Sequence, residues 1–366
     1  MYKYTHFIPQ NIAPKGAKKI VAYNSKGEKI TDIPLGGLTP PNKDKMYSFG
    51  LLSDVHLENY RSDQISSYDK FDNALAFFKE QGVAFCCHCG DLADYGFWYP
   101  SNTYEKSTYD PSSYEAYKRI CEKNNMQVYG CCGNHESYNG YDISKSYTDI
   151  YGADPTLVVN NLEKLQEYTG YGLHFEITHN NDVFIFLGHP SGNIPMSDEA
   201  LQWLYGTLEV NRNKRCFIYV HPHISNGNPN GMITGLDLFK NWGTKKTAFE
   251  NLLRHYKNTI VFHGHTHVVF ECQEVDNKTI YTNKDGYKSF SVPSSCKPKY
   301  FVNGSLETNY NESQGVLADV YDDCVVFNGI DLINRKPIPI GTYKIDTTLQ
   351  TIEANTFTDS TGTIKT

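Results

Sequence analysis

Five stretches of the chain deliver a metal-liking side chain at the end of a short apolar run, or just beyond it. YSFGLLSDVH delivers Asp54 and His56, and VAFCCHCGDLAD delivers Asp91, with Asp94 three residues on. MQVYGCCGNHE delivers Asn134 and His135, RCFIYVH delivers His221, and TIVFHGHTH delivers His265 and His267. Carboxylate and carboxamide oxygens beside several imidazoles suit hard-to-borderline divalent cations, and a donor set of this size can hold two. Two such ions about 3.5–4 Å apart acidify a water held between them and neutralise the charge that develops on a phosphate during in-line displacement. A nearby imidazole can then protonate the leaving oxygen, and a neighbouring carboxylate can fix its tautomer. Taken singly, each residue has a plainer use: aspartate caps helices, asparagine makes turns and buried histidine packs. The five stretches in order, each closing an apolar run, point instead to metal-assisted hydrolysis of a phosphate ester.

Strand ends are the place to gather such residues, because sites in open α/β sheets lie beyond the carboxyl ends of the strands. The apolar runs are continuous rather than alternating, which predicts strands covered on both faces. SYDKFDNALAFFKEQG places Phe71, Leu75 and Phe78 on one helical face, with Gly82 as a stop. Ser112 and Glu115 form a capping pair that opens a helix running to about Met126. SDEALQWLYGTLEVN and TKKTAFENLLRHYKN read as two more helices. Strand and helix alternation predicts a largely parallel central sheet with right-handed crossovers. After His267, the segments VVFECQEV, KTIYTN, YKSFSV, GVLADVYDD and CVVFNGID read as short strands of a second, mainly antiparallel sheet packed on the first.

Three regions follow. Residues 1–46 read as an N-terminal extension, with a hairpin around Ser25-Lys26-Gly27 and a PLGGLTPPNKDK linker, suited to attachment to a larger assembly. Residues 47–346 carry the motifs, and residues 347–366 read as a polar, loosely held tail. Two aromatic-rich inserts, 95–113 and 137–161, leave the ligand-bearing edge and either wall a substrate cleft or cover the sheet edge.

Composition narrows the class. With 39% hydrophobic and 20% charged residues the chain is globular, and its 28 Tyr and 19 Phe call for aromatic packing. A net charge of −7 with no long basic run argues against nucleic acid as a partner. No segment approaches the roughly 18 apolar residues of a membrane span, and the N-terminus lacks a signal-peptide core. The ten cysteines fall largely within the apolar runs, so they read as reduced, buried residues of a cytoplasmic protein rather than a disulfide framework. Cys86, Cys87, Cys89 and His88 mimic a zinc cluster, but alternation along a strand keeps them from converging on one ion.

Asp54-Val55-His56, Gly90-Asp91-Leu92-Ala93-Asp94, Gly133-Asn134-His135-Glu136, His221 and Gly264-His265-Thr266-His267 follow one another in that order. The series resembles the calcineurin-like metallophosphoesterase superfamily, with its D-x-H, G-D-x-x-D, G-N-H-[D/E], H and G-H-x-H blocks, over roughly residues 47 to 345. The resemblance implies an α/β fold: a four-layer α/β/β/α sandwich of two mixed β-sheets flanked by helices. It implies that Asp54, His56 and His267 hold one metal, that Asn134, His221 and His265 hold another, and that Asp91 bridges them. His135 would donate the proton, oriented by Asp94. The cofactors would be two divalent or mixed-valence ions drawn from Mn, Fe, Zn and Ni. His223 is placed either near the phosphate or facing solvent, His88 and His263 as packing residues, and His189 outside the ligand set. Tyr95 stands where phosphoprotein phosphatases of the superfamily carry an arginine, and Asp94 where purple acid phosphatases carry a tyrosine, so neither branch is favoured. The expected activity is phosphoesterase, hydrolysing diesters slightly in preference by a hydroxide bridging the metals. A monoesterase or nuclease on the same core, or a non-catalytic scaffold, are the alternatives.

Overall fold

In the computed structural model, the described residues are 19–23, 29–34, 44–57, 65–93, 113–137, 163, 165–188, 196–224, 245–273, 281–282, 286–302 and 305–353. Along Tyr47–Leu52 (β3), successive side chains point opposite ways and both directions are covered. Phe49 and Leu51 join one apolar cluster, and Leu52 joins another. The same division runs through Asp182–Leu187 (β7), Cys216–Tyr219 (β8) and Thr259–His263 (β9). Their Phe184, Phe186, Phe217, Tyr219, Ile260 and Phe262 meet Phe49 and Leu51, while Val183, Ile185, Ile218 and Val261 face the opposite way. Burial on both faces is why these runs are apolar throughout.

Two six-stranded sheets result. The first has the order β16 (Lys336–Asp346), β15 (Cys324–Asp331), β14 (Gln314–Val320), β3, β4 (Cys86–His88), β5 (Val128–Gly130). Strands β3, β4 and β5 are parallel, and β14, with Ala318 opposite Phe49, pairs antiparallel to β3. The second has the order β10 (Tyr281–Thr282), β11 (Lys288–Ser291), β9, β8, β7, β6 (His174–His179), with β11, β9, β8 and β7 parallel and the two edge strands antiparallel. Both sheets are thus mixed, and an aromatic layer between them absorbs many of the rings counted in the sequence. Phe49 meets Phe184 edge-on at 5.3 Å, and Phe175 stacks on Phe186 at 4.5 Å.

Helices close the outer faces. Ser67–Glu80 (α1), capped by the Ser66 hydroxyl, and Ser113–Asn124 (α2) bury Phe71, Leu75, Phe78, Tyr117 and Ile120 against the first sheet. Asp198–Val210 (α3), capped by Ser197, and Lys246–His255 (α4) bury Leu201, Leu204, Phe249 and Leu252 against the second. The layering is α/β/β/α. Among the described residues no helix is long and apolar enough to cross a membrane.

Two features depart from the sequence reading. The strands after His267 do not form a sheet of their own: β14, β15 and β16 extend the first sheet beside β3, while β10 and β11 extend the second. Of VVFECQEV, only Val268 makes a bridge, and Phe270–Cys272 is a 3-10 turn. Residues 347–353, read as the start of a loose tail, are pinned. The Thr347 N–H donates to the Asp323 carbonyl, and those of Gln350 and Ile352 donate to the side-chain oxygens of Asn258 and Asn213. Lys19–Tyr23 (β1) and Lys29–Pro34 (β2) pair antiparallel, and Lys299–Val302 (β12) pairs with Ser305–Thr308 (β13). The turn at 25–27, the inserts 95–112 and 138–161, and the residues beyond 353 lie outside the described residues.

Candidate metal centre

The parallel strands of both sheets run out into loops that bond to one another. After β3 and β4, the N–H groups of Asp54, His56 and Leu57 donate to the carbonyls of Gly90, Asp91 and Leu92. After β8 and β9, the Gly264 N–H donates to the His221 carbonyl. These lateral bonds bring the ends of the apolar runs together, and they leave the backbone strained. Asp54, His56, Asp91, His265 and His267 all have positive φ, between 44° and 70°. They make up five of the nine non-glycine residues in that region among those described. The close approach also demands glycine at two points: a β-carbon at Gly133 would overlap the Asp91 carboxylate, and one at Gly264 would overlap the Ser53 hydroxyl.

The donor atoms fall into two groups sharing one aspartate. Asp54, His56, Asp91 and His267 each present an atom within 4.8 Å of the others, and so do Asp91, His221 and His265. Asp54 Oδ1 is 3.1 Å from His267 Nε2, and Asp91 Oδ2 is 3.1 Å from His221 Nε2 and 3.7 Å from His56 Nε2. In each group two imidazole nitrogens face one another, His56 Nε2 and His267 Nε2 at 3.1 Å, and His221 Nε2 and His265 Nδ1 at 3.1 Å. Two nitrogens bound to one ion at about 2.1 Å stand about 3.0 Å apart in octahedral and about 3.4 Å in tetrahedral geometry. The observed spacing lies in that interval, so the residues present fit a pair of cations. Of the remaining sequence-predicted residues, Asn134 is buried between Gly133, whose N–H donates to Glu136, and His135, whose N–H donates to Asp91 Oδ1. His135 places Nε2 3.9 Å from Asp91 Oδ2, and its ring meets that of His56 edge-on at 4.6 Å. Its side chain is 23% exposed, against 9% for His267 and 1–2% for His56 and His221. Asp94 and His189 lie outside the described residues.

The electrostatics set Asp54, Asp91, His265 and His267 in metal-binding forms and leave His221 protonated. Burial alone would raise Asp54 and Asp91, but facing imidazoles, chiefly His267 for Asp54 and His221 for Asp91, hold both below the usual carboxylate range. Burial pushes His265 down to about 3, helped by the charge of His221, and lowers His267 as well. His221 goes the other way, to about 9, because Asp91 and Asp54 outweigh its burial. Ionised carboxylates and the neutral imidazoles of His265 and His267 are the forms that ligate metals, whereas His221 has to give up a proton to join them. The orientation of the rings is also fixed: His221 Nδ1 is 2.7 Å from the Cys89 carbonyl, and His267 Nδ1 is 3.2 Å from that of Lys297.

Three supporting parts escape sequence reasoning. Glu136, fully buried, accepts from the N–H groups of Asp91 at 3.1 Å, Ala93 at 2.9 Å and Gly133 at 2.6 Å, tying the second and third blocks together. Its place in Gly-Asn-His-Glu was the available signal. Burial and the nearby Asp91 charge raise its carboxyl to about 7. Ser294 and Ser295, after β11, donate to the carbonyls of Asp54 and Ser53, and no pattern in the sequence marks them. Ser53 itself donates to Asp54 Oδ2 at 2.6 Å. His223 is buried edge-on against His263 at 4.2 Å, so it does not face solvent. His88, between the Gly90 N–H and the Tyr171 hydroxyl, is held within the sheet.

No curated protein sequence matches the chain. Among solved structures, yellow lupin (Lupinus luteus) purple acid phosphatase PPD1 superposes with a TM-score of 0.54 at 11% identity, over 90% of this chain and 59% of that one. GAP50, described as the anchor in the inner membrane complex of Plasmodium, gives 0.46 at 12% identity, over 85% and 91%. Vps29 of Entamoeba histolytica, complexed with zinc, gives 0.34 at 12% identity, over 82% and 99%. The lupin enzyme shares the fold. The sequence profile described as Calcineurin-like phosphoesterase matches residues 47–269, more than half of the chain and all five motif blocks. The chain belongs to the calcineurin-like phosphoesterase family.

Proposed function

We propose that this protein is a dinuclear metal-dependent phosphoesterase that hydrolyses phosphate esters, diesters in preference to monoesters. The observation that carries the reading is the pair of buried donor groups sharing Asp91, with one partly exposed imidazole, His135, beside them. Asp54, His56 and His267 would hold one ion, His221, His265 and Asn134 the other, and Asp91 both. When bound, two divalent cations supply Lewis acidity toward a water and the ester phosphate. His135 is positioned by its backbone N–H, which donates to Asp91 Oδ1 at 3.0 Å, and by its edge-on contact with His56. Nε2, the ring nitrogen 3.9 Å from Asp91 Oδ2, is the atom assigned to give the leaving oxygen a proton, with Asp94 proposed to orient the ring. Glu136 keeps the Asp91, Ala93 and Gly133 backbone from shifting as charge changes at the site.

The diester preference rests on Tyr95, which follows Asp94 where an arginine would serve a doubly charged monoester. The net charge of −7 disfavours a nuclease, and retention of every motif residue disfavours an idle scaffold. The test is elemental analysis of the purified protein together with turnover of a diester and a monoester reporter with added Mn²⁺. Near-stoichiometric pairs of metal ions with faster diester turnover are expected. A protein that takes up no metal and cleaves neither reporter ends the proposal, and dominant monoester turnover ends the diester preference.

A further inference from the structure

Lys70, near the start of α1, is only 2% exposed, where a lysine is ordinarily solvated. Its ammonium donates to the Cys296 carbonyl at 2.6 Å, across 226 positions of the chain. Cys296 lies in the stretch 294–297, between Pro293 and Pro298, and that stretch touches every member of one donor group. The Ser294 hydroxyl donates to the Asp54 carbonyl at 2.9 Å, the Cys296 thiol lies 3.9 Å from the His56 carbonyl, and His267 Nδ1 is 3.2 Å from the Lys297 carbonyl. A carbonyl only accepts, so His267 Nδ1 carries the hydrogen and Nε2 keeps its lone pair for an ion. His221 takes its bearing elsewhere, from the Cys89 carbonyl.

The peptide unit joining Cys296 to Lys297 is held at both ends. Lys70 takes its oxygen, and its N–H, that of Lys297, donates to Ser294 Oγ at 2.8 Å. A peptide unit is planar, so fixing both atoms fixes the plane that leads into the Lys297 carbonyl, the acceptor for His267. Ser294 gives its one hydroxyl hydrogen to Asp54 and has none to offer the Cys296 oxygen if Lys70 is removed. We propose that Lys70, outside the five motifs, is a positioning residue for one of the two ions. Through the Cys296–Lys297 peptide it sets the Asp54, His56 and His267 group, and with it the affinity of the ion held there but not of its neighbour. This rests on the metal-centre reading.

The test is calorimetric titration of the metal-free full chain with Mn²⁺ in two backgrounds. His221→Ala leaves the Asp54, His56 and His267 group to bind an ion alone, and His267→Ala leaves the group of His221, His265 and Asn134. Lys70→Met is expected to weaken Mn²⁺ binding about 10–100-fold in the first background, the usual effect of removing a group that orients a ligand, and to change nothing in the second. A general loosening of the fold would weaken both alike, so equal losses in the two backgrounds, or no loss in the first, overturn the proposal. If Lys70→Met does not fold, Ser294→Ala, which releases the other end of the same peptide, takes its place under the same criteria. A wild-type chain that takes up no Mn²⁺ ends the metal-centre reading and this proposal together. Two ions bound by wild type, with Lys70→Met without effect in the His221→Ala background, end this proposal alone.

Discussion

Asp54, His56, Asp91, His265 and His267 each hold a left-handed backbone conformation that L side chains disfavour by on the order of 1–2 kcal/mol. Such strain persists only where surrounding bonds over-determine it. Here the lateral bonds between loops and the three N–H groups gathered by Glu136 do so. Removing that carboxylate by Glu136→Ala leaves buried donors without an acceptor, at about 1–3 kcal/mol each. A lower denaturation midpoint together with reduced metal content is expected, with Glu136→Gln milder in both. Asp91→Ala is expected to lose metal, because its carboxylate belongs to both donor groups. His135→Ala is expected to keep both ions and lose turnover by about a hundredfold or more, the scale of general acid catalysis. Equal metal content in Asp91→Ala and His135→Ala would contradict the roles assigned to them.

At the scale of elements, the helices were legible because their apolar spacing is local. Phe71, Leu75 and Phe78 lie on one face of α1, and SDEALQWLYGTLEVN forms α3. The strands bearing the motifs were legible as well, since burial on two faces leaves an unbroken apolar run. Sheet membership was not. Whether β14 pairs with β11 or with β3, more than 260 positions away, is decided by register such as Val316 opposite Leu51, which no local pattern encodes. Ser294 and Ser295 went unremarked for the same reason: their importance comes from Asp54 and Ser53, far off in the chain. The interior of β4 offers a pH test. His88 is buried and held near pKa 3 by desolvation and the charge of His221, below its ordinary 6.5. The unfolded chain therefore binds a proton that the folded one refuses, so His88's contribution is intact above pH 6.5 and lost as pH falls toward 3. The slope is at most about 1.4 kcal/mol per pH unit. Urea denaturation of His88→Gln across that window is expected to show a flatter acid limb than wild type; parallel limbs would remove His88 from the account.

Among the described residues, two six-stranded sheets are pressed together, with the motif loops at the carboxyl ends of the parallel strands and a buried polar clamp at the other end. There Tyr47, opening β3, donates to Asp182, opening β7, at 2.5 Å, and Arg215 donates to the same oxygen at 2.6 Å. Arg215 also reaches the Tyr321 carbonyl and the Thr347 hydroxyl, so one guanidinium joins both sheets and the segment after β16. Asp182→Ala strands that buried charge and is expected to cost about 3–5 kcal/mol, while Tyr47→Phe should cost about 1 kcal/mol. Chemical denaturation would show a single cooperative loss if the clamp couples the two halves as described.

The interleaving of β14 between β15 and β3 also has a consequence in time. Asp54, His56 and Asp91 leave the ribosome early, yet the sheet that carries them gains its neighbour only when residues 314–320 have been made, after His221, His265 and His267 have already emerged. A nascent chain released after residue 300, with every motif made but β14 missing, should therefore hold cations weakly, and one extended through residues 314–320 should hold them avidly.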